Sequence, residues 1–310
     1  MSTTPGRKNE KLVAVITGGN SGVGLTAAER LLDLHNGDGI EICLVCRNRN
    51  RAEAAKNSLL RSSPNATVDI VLMDTSRISS VIKGARELCL KKILHMFTTG
   101  EGLLLQTDNT TNEGLQQVFA TNLFGHYVLV RELESLLGHD SPSQVIWTSS
   151  RASIKSSFNI SDIQHKKGHD PYGSSKFGID VMSVALNDRL NTQKVYSHAC
   201  CPGLVLTNLT NAIFPMWVWY ILLPFFLLMR IFVANFNLSP YNGSESLVWL
   251  SKQNPKELDP KSRYESNTSF FGKRYVSSRK LPIETSTCDQ LIEECDAMYR
   301  MFKNRQSLDS

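Results

Sequence analysis

The sequence lacks the motifs that build metal sites and disulfide frameworks. Cys43 and Cys46 form a C-x-x-C with no second copy elsewhere to complete a zinc site, and no H-E-x-x-H occurs. The seven cysteines follow no paired spacing, and an odd, unpatterned count is typical of reduced thiols facing the cytosol. The sequence therefore predicts no bound metal.

Concentrated charge and an N-terminal apolar core are also missing. The net charge is +5, and the Lys and Arg residues are scattered, which favours a solvated surface over nucleic-acid binding. The opening residues "MSTTPGRKNEKLVAV" are polar and lack the apolar core of a signal peptide. With no repeat or linker, we expect one domain over residues 1–310, ending in a helical tail over 283–310.

One long apolar stretch stands out, over residues 212–236, within a run that carries no charge from Ala199 to Met229. A bilayer is crossed by about 20 apolar residues, so the stretch is long enough to enter a membrane. Pro215 and Pro224 interrupt it. Two interpretations stay open: a membrane-associated segment, and a soluble lid with apolar walls over a substrate pocket.

The order of apolar runs and helical patterns predicts an α/β fold. Short runs rich in Val and Ile, such as "KLVAVITGG", "IEICLVCRN" and "ATVDIVLMD", read as buried parallel strands, and amphipathic helical patterns separate them. Strand and helix alternate as in a doubly wound parallel, Rossmann-like sheet. Two long helices are predicted over 112–137 and 171–191.

The first strand leads into "TGGNSGVG", a glycine-rich turn that opens a helix. Such a turn lets backbone N–H groups and the helix N-terminus approach a pyrophosphate, although tight strand–helix packing also wants glycine. The predicted cofactor-binding residues here are Thr17, Gly18, Asn20, Ser21, Gly22, Val23 and Gly24.

Two further side chains follow the next two strands. Arg47 stands where many NAD-binding folds place an acid for the ribose, and a cation there suits the extra phosphate of NADP; alternatively it is a surface arginine. Asp74 could meet the adenine edge, or it could cap the helix that begins near Ser76.

The stretch "PYGSSK" carries the predicted acid chemistry. Tyr172 and Lys176 are four residues apart and share one helix face, so an ammonium there should lower the pKa of the phenol. Tyr172 could then donate a proton to a carbonyl, and Lys176 could also hold a nicotinamide ribose. Ser150 ends the preceding strand and could bind the substrate oxygen; Ser149 is the alternative, because that strand ends in two serines.

Together these motifs resemble the short-chain dehydrogenase/reductase family over residues 11–203. The resemblance implies that Ser150, Tyr172 and Lys176 are catalytic and that Asn122 in "ATNLFGH" completes a proton relay. It implies that Thr207, after the Pro-Gly turn, lies near the nicotinamide amide.

Longer stretches, among them "ICLVCRNRNRAEAA" and "CPGLVLTNLT", are similar to keto-steroid reductases of that family. This resemblance implies NADPH-dependent reduction of the 3-keto group of sterol intermediates in cholesterol biosynthesis, and reduction of estrone to estradiol. It implies an endoplasmic reticulum membrane address, and by analogy the two long helices could build a homodimer.

The family pattern has an apolar strand ending in Asn-Ala-Gly between Asp74 and Asn122, and that tripeptide is absent here. We expect residues 93–98 to serve as the fourth strand, with 99–102 turning beside the cofactor. Two alternatives stay open: a shortened form with an impaired cofactor site that acts through binding partners in the membrane, and a retinol-type reductase.

Overall fold

The structure is a computed structural model, and it describes residues 12–37, 39–90, 96–98, 108–139, 141–205, 221 and 237–308. The strands are β1 (Leu12–Thr17), β2 (Ile40–Cys46), β3 (Thr67–Leu72), β4 (Met96–Thr98), β5 (Ser143–Thr148), β6 (Val195–Cys201), β7 (Ser262–Thr268) and β8 (Arg274–Lys280). The helices are α1 (Gly22–Leu34), α2 (Arg49–Ser62), α3 (Ile78–Leu90), α4 (Gln117–Phe119), α5 (Gly125–Leu133), α6 (Pro171–Leu190), α7 (Pro240–Gly243), α8 (Glu245–Lys252) and α9 (Thr285–Leu308).

One eight-stranded sheet has the order β3-β2-β1-β4-β5-β6-β7-β8. Every neighbouring pair is parallel except β7 and β8, which form an antiparallel hairpin. The predicted doubly wound parallel sheet is confirmed. Strands β1, β2 and β6 are buried almost throughout, which is why their sequences are largely apolar rather than alternating, whereas the polar edge strand β8 is mostly exposed.

The expected fourth strand is present at the centre of the sheet, although it is short. Residues 96–98 pair with β1 through Val15↔Phe97 and with β5 through Phe97↔Val145. The predicted strand is confirmed for residues 96–98, while residues 93–95 and the expected turn at 99–102 lie outside the described residues. Residues 96–98 therefore fill the central position in the sheet that the family's Asn-Ala-Gly strand would occupy.

The prediction of one continuous α-helix over 112–137 is wrong at its start and in its middle. Gly114 has φ +83° and its N–H closes a turn onto Thr111, so the chain cannot be helical there. The helix begins at Gln117, and a π-helical segment, Ala120–Phe124, separates α4 from α5.

The C-terminal helix α9 packs on the face formed by α5 and α6. Leu291, Tyr299 and Phe302 of α9 are buried in the same cluster as side chains of those two helices. Each buried side chain of this size contributes about 1.5–3 kcal/mol. Only Asp188 of α6 is exposed, so the helix pair that the sequence offered as a dimer face is already covered within one chain.

Candidate active site

The parallel strands end along one edge of the sheet, and the predicted site residues meet there. Thr17 ends β1, Thr148 ends β5 and Cys201 ends β6. Helix α6 begins close to this edge, since Lys176 in its second turn donates to the main-chain oxygen of Thr148, and Asp170 caps it by accepting a hydrogen bond from the Gly173 N–H at 2.9 Å. Ligands of doubly wound sheets bind outside this carboxyl edge.

The glycine-rich turn is shaped for close backbone approach. Gly18 and Gly22 have φ +67° and +56°, values that side chains rarely permit. A Cβ at Gly24 would lie 2.7 Å from the carbonyl oxygen of Gly18, so no larger residue fits without moving backbone. The bare turn leads directly into α1, and its geometry fits the pyrophosphate of a dinucleotide cofactor.

The other predicted members of the turn surround this backbone. Ser21 is the N-cap residue of α1, with extended backbone angles. Thr17 is buried, and its Oγ1 lies 3.2 Å from Nε2 of His126 on α5. Asn20, Ser21 and Val23 are partly exposed.

The two outlying cofactor residues differ in how the structure places them. Arg47 is exposed directly after β2, which leaves its predicted role open. Asp74 accepts hydrogen bonds at Oδ1 from the Ser76 N–H at 3.0 Å and the Ser76 hydroxyl at 2.7 Å. Asp74 therefore holds the turn before α3 and does not cap that helix as the alternative expected, because Glu113 accepts from the N–H groups of Ile78 and Ser79 at the start of α3.

Ser150, Tyr172 and Lys176 lie together. The Ser150 side chain is close enough to the Tyr172 phenol to act on it and lower its pKa, and the Lys176 Nζ lies 5.6 Å from the centre of the Tyr172 ring. The Lys176 ammonium donates to the main-chain oxygen of Thr148 at 2.9 Å. Ser149 points away, since it is buried and its hydroxyl donates to the main-chain oxygen of Lys176 at 3.4 Å. The structure therefore favours Ser150 over Ser149 as the serine that faces the tyrosine.

The expected lowering of the Tyr172 pKa is wrong for this structure. Burial raises the pKa of Tyr172 to about 12, and the hydrogen bond from Ser150 opposes that only in part. Burial disfavours the phenolate, and the Lys176 ammonium turns toward Thr148 rather than toward the phenol oxygen. Tyr172 accordingly keeps its proton at neutral pH and can donate it.

Burial disfavours the charged form of Lys176. Burial lowers its pKa to about 8, while Cys201, Asp180 and Cys200 oppose the shift. The side chain is 3% exposed, so the charged form is held by local partners and not by water.

Asn122 reaches Tyr172 indirectly. Its Nδ2 donates to the Ser175 hydroxyl at 3.0 Å, and that hydroxyl donates to the main-chain oxygen of Tyr172 at 2.8 Å. Asn122 lies inside the π-helical segment, and such π-bulges occur frequently at functional sites. The relay position expected from the family is thus next to the other three residues.

Sequence reasoning missed three residues of this neighbourhood. His126 is buried beside Thr17, and burial followed by the Lys176 charge lowers its pKa to about 4, so it is neutral. Asp180 and Arg263 form a buried ion pair behind Ser150. Asp180 could have been found from its position one helical turn after Lys176, whereas no sequence signal points to Arg263. Thr207 lies outside the described residues.

Comparison with known proteins decides the family. The sequence pattern described as short chain dehydrogenase matches residues 12–216. The chain belongs to the short-chain dehydrogenase family. This short-chain dehydrogenase is 44% identical over 314 residues to the human protein named 3-keto-steroid reductase/17-beta-hydroxysteroid dehydrogenase 7, covering 91% of this chain and 92% of the human one. It is 29% identical over 219 residues to mouse retinol dehydrogenase 12, covering 69% and 68% of the two chains. Family membership makes it an oxidoreductase.

Solved structures agree on the fold. L-sorbose reductase from Gluconobacter frateurii, in a crystal with NADPH and L-sorbose, matches with a TM-score of 0.64 at 19% identity. The match covers 85% of this chain and 98% of that one. At this identity the likeness shows the fold alone.

Proposed function

We propose that this short-chain dehydrogenase reduces a steroid ketone, the 3-keto group of a sterol intermediate, with NADPH. The observation that carries the proposal is the meeting of Ser150, Tyr172 and Lys176 at the sheet edge beside the glycine turn. The substrate class is supported by the 44% identity to a human protein named for 3-keto-steroid reduction. Reduction of estrone to estradiol is a second activity proposed on the same name.

In the proposed carbonyl reduction each of the four residues has a separate role. A bound NADPH supplies the hydride that reaches the ketone carbon. Ser150 hydrogen-bonds the ketone oxygen, and Tyr172 donates its phenolic proton to that oxygen as negative charge develops there. Lys176, held charged in a dry site, stabilises this charge and the phenolate that remains. Asn122, through Ser175, fixes the main chain at Tyr172.

NADPH is proposed over NADH because of Arg47. It is the cation that follows β2, where the 2′-phosphate of NADP is bound in this fold. The remaining cofactor contacts are proposed at the glycine turn and at Lys176 for the nicotinamide ribose, and Thr207 near the amide stays a prediction from the family. Arg47→Ala should weaken NADPH binding about tenfold or more and leave NADH binding unchanged, because charge-assisted hydrogen bonds contribute about 1.5–3 kcal/mol.

The test is turnover by the purified full chain in detergent, with NADPH and a 3-keto sterol. Turnover that Tyr172→Phe abolishes, with NADPH binding intact, supports the proposal. Absence of NADPH binding by fluorescence would overturn it and favour the shortened, non-catalytic form that acts through binding partners. The pairing of residues 96–98 with both β1 and β5 counts against that form. Turnover of retinal but not of the sterol would favour a retinol-type reductase, which the mouse relative also supports.

Membrane association, with the endoplasmic reticulum as the address, is proposed as part of the same function. Within the described ranges no helix is both long and apolar enough to cross a bilayer. The support comes from one edge of the sheet, where Val205 and Leu238, on either side of the apolar stretch 212–236 in the sequence, form a parallel bridge. At the same edge the β7–β8 hairpin exposes Phe270 and Phe271 by 56% and 92%. Residues 269–280 carry basic side chains and no acidic one, which suits anionic headgroups.

Flotation with vesicles containing phosphatidylserine tests this association. The double change of Phe270 and Phe271 to serine should reduce the bound fraction, whereas Leu34→Ser, at an exposed apolar residue at the far end of α1, should not. Equal binding of both variants would remove the hairpin from the proposal.

Colocalisation of the tagged chain with an endoplasmic reticulum marker tests the address. For assembly, α9 covers the α5–α6 face, so a homodimer through that pair requires α9 to move; light scattering in detergent decides it.

A further inference from the structure

A buried ion pair lies directly behind the active-site edge. Arg263 on β7 and Asp180 on α6 are 2% and 0% exposed, and Arg263 Nη1 lies 2.9 Å from Asp180 Oδ2. Burying such charges costs several kcal/mol per ion, and an apolar pair of similar volume is often no less stable. Stability alone is therefore a weak reason for this pair.

The pair holds the turn that carries Ser150. Arg263 Nη1 also donates to the main-chain oxygen of Ser150 at 2.8 Å, and the Ser153 N–H donates to the same oxygen at 3.2 Å. The Ser153 hydroxyl donates to Asp180 Oδ2 at 2.5 Å. Ser150 lies beyond the end of β5, so the sheet ladder does not fix it. Its position is set by hydrogen bonds from Arg263 of β7, two strands away from β5 in the sheet, and from Ser153 in the same turn.

The pair also reaches the other half of the catalytic group. Asp180 follows Lys176 by one helical turn on α6, and its carboxylate favours the Lys176 ammonium against burial. The other end of the Arg263 guanidinium donates through Nη2 to Glu265 Oε1 at 2.9 Å. One planar fork thus joins β7, α6 and the Ser150 turn in a fixed geometry, which a lysine cannot reproduce.

We propose that Arg263 and Asp180 are positioning residues that hold Ser150 in line with Tyr172 and Lys176 for proton transfer. The inference rests on the proposed carbonyl reduction and adds two residues to it. Neither residue is assigned a contact with substrate or cofactor; both act through Ser150 and Lys176.

The principal variant is Arg263→Lys, which keeps the charge but not the fork. It should lower kcat about 10–100-fold, since a displacement of about 1 Å at a reacting group costs that much. The KM for the ketone and the Kd for NADPH should change less than about threefold, because the interaction lost is made in the transition state. Asp180→Asn should give the same split between kcat and KM.

A matched control lies on the same helix. Arg189 Nη1 pairs with Asp296 Oδ2 of α9 at 2.8 Å, away from the sheet edge. Arg189→Lys should leave kcat, KM and the Kd for NADPH unchanged.

Hydrogen exchange provides a readout that does not need turnover. Arg263→Lys should speed amide exchange in residues 149–153, and Arg189→Lys should not. If the wild-type chain reduces no ketone, the proposed function fails, and this exchange result alone decides the positioning role. Unchanged exchange or unchanged kcat in Arg263→Lys and Asp180→Asn would overturn the inference. Unfolding, or parallel loss of NADPH binding in both variants, would also overturn it by showing a purely structural pair.

Discussion

Replacing Lys176 with methionine should stabilise the protein while removing its activity. Lys176 is 3% exposed, and burial lowers its pKa from 10.5 to about 8. One pKa unit corresponds to about 1.4 kcal/mol, so the buried ammonium costs the folded state about 3 kcal/mol at neutral pH. The charge-assisted hydrogen bond to Thr148 returns about 1.5 kcal/mol of this, which leaves a net gain of about 1.5 kcal/mol for Lys176→Met at pH 7.

The sign of the pH dependence follows from proton binding. Between pH 8 and 10.5 the unfolded chain still holds the Lys176 proton while the folded chain releases it. The unfolded state then binds more protons, so the stability of the wild-type chain rises with pH across this window. The advantage of Lys176→Met should shrink by about 3 kcal/mol as the pH rises through it.

The assay is urea unfolding of both chains in detergent, followed by tryptophan fluorescence, at pH 7, 8, 9 and 10. Taking the difference between the chains cancels the titration of all shared groups. Lys166→Met, at an exposed lysine, should change stability by less than about 0.5 kcal/mol at neutral pH. A difference between wild type and Lys176→Met that stays flat from pH 7 to 10 would refute the burial of a charged lysine. The same titration predicts that kcat falls above about pH 8, as Lys176 loses its charge.

Three other changes test separate parts of the structure. Gly24→Ala places a Cβ 2.7 Å from a backbone oxygen and should weaken NADPH binding about tenfold or more, since overpacking costs about 1–3 kcal/mol; unchanged binding by fluorescence titration would contradict the turn geometry. Leu291→Ala should destabilise the chain by about 2–5 kcal/mol in urea unfolding because Leu291 is fully buried; a change below about 0.5 kcal/mol would mean that α9 is not docked. Asp170→Ala removes the cap of α6 and should cost about 1 kcal/mol, measured by the same unfolding, and a loss of zero would contradict the cap.

The local elements of this protein follow from local sequence. The runs around β1, β2, β3, β5 and β6 are apolar and β-branched and end at polar or glycine residues, so strand type and order are readable. Tyr172 and Lys176 share a face because helical spacing requires it. The glycine turn is equally local. Gly18 and Gly22 are required by their backbone angles, and Gly24 by the close approach of a backbone oxygen a few residues away.

What the sequence could not determine depends on chain segments far apart. The pKa of Tyr172 depends on how deeply α6 is buried, and the direction of Lys176 depends on a carbonyl at the end of β5. Local spacing predicted a lowered pKa for Tyr172, and burial reversed it.

Spacing along the chain sets which residue types can share a helix face or a turn, and here it was enough to predict the glycine turn, the tyrosine and the lysine, and to narrow the serine to Ser149 or Ser150. Tertiary structure alone brought Arg263 of β7 to the Ser150 carbonyl, 113 residues away in the chain. It also decided that α9 covers the α5–α6 face and that residues 96–98 close the sheet. Burial and hydrogen bonding between distant segments are properties of the packed chain, and no local pattern carries them.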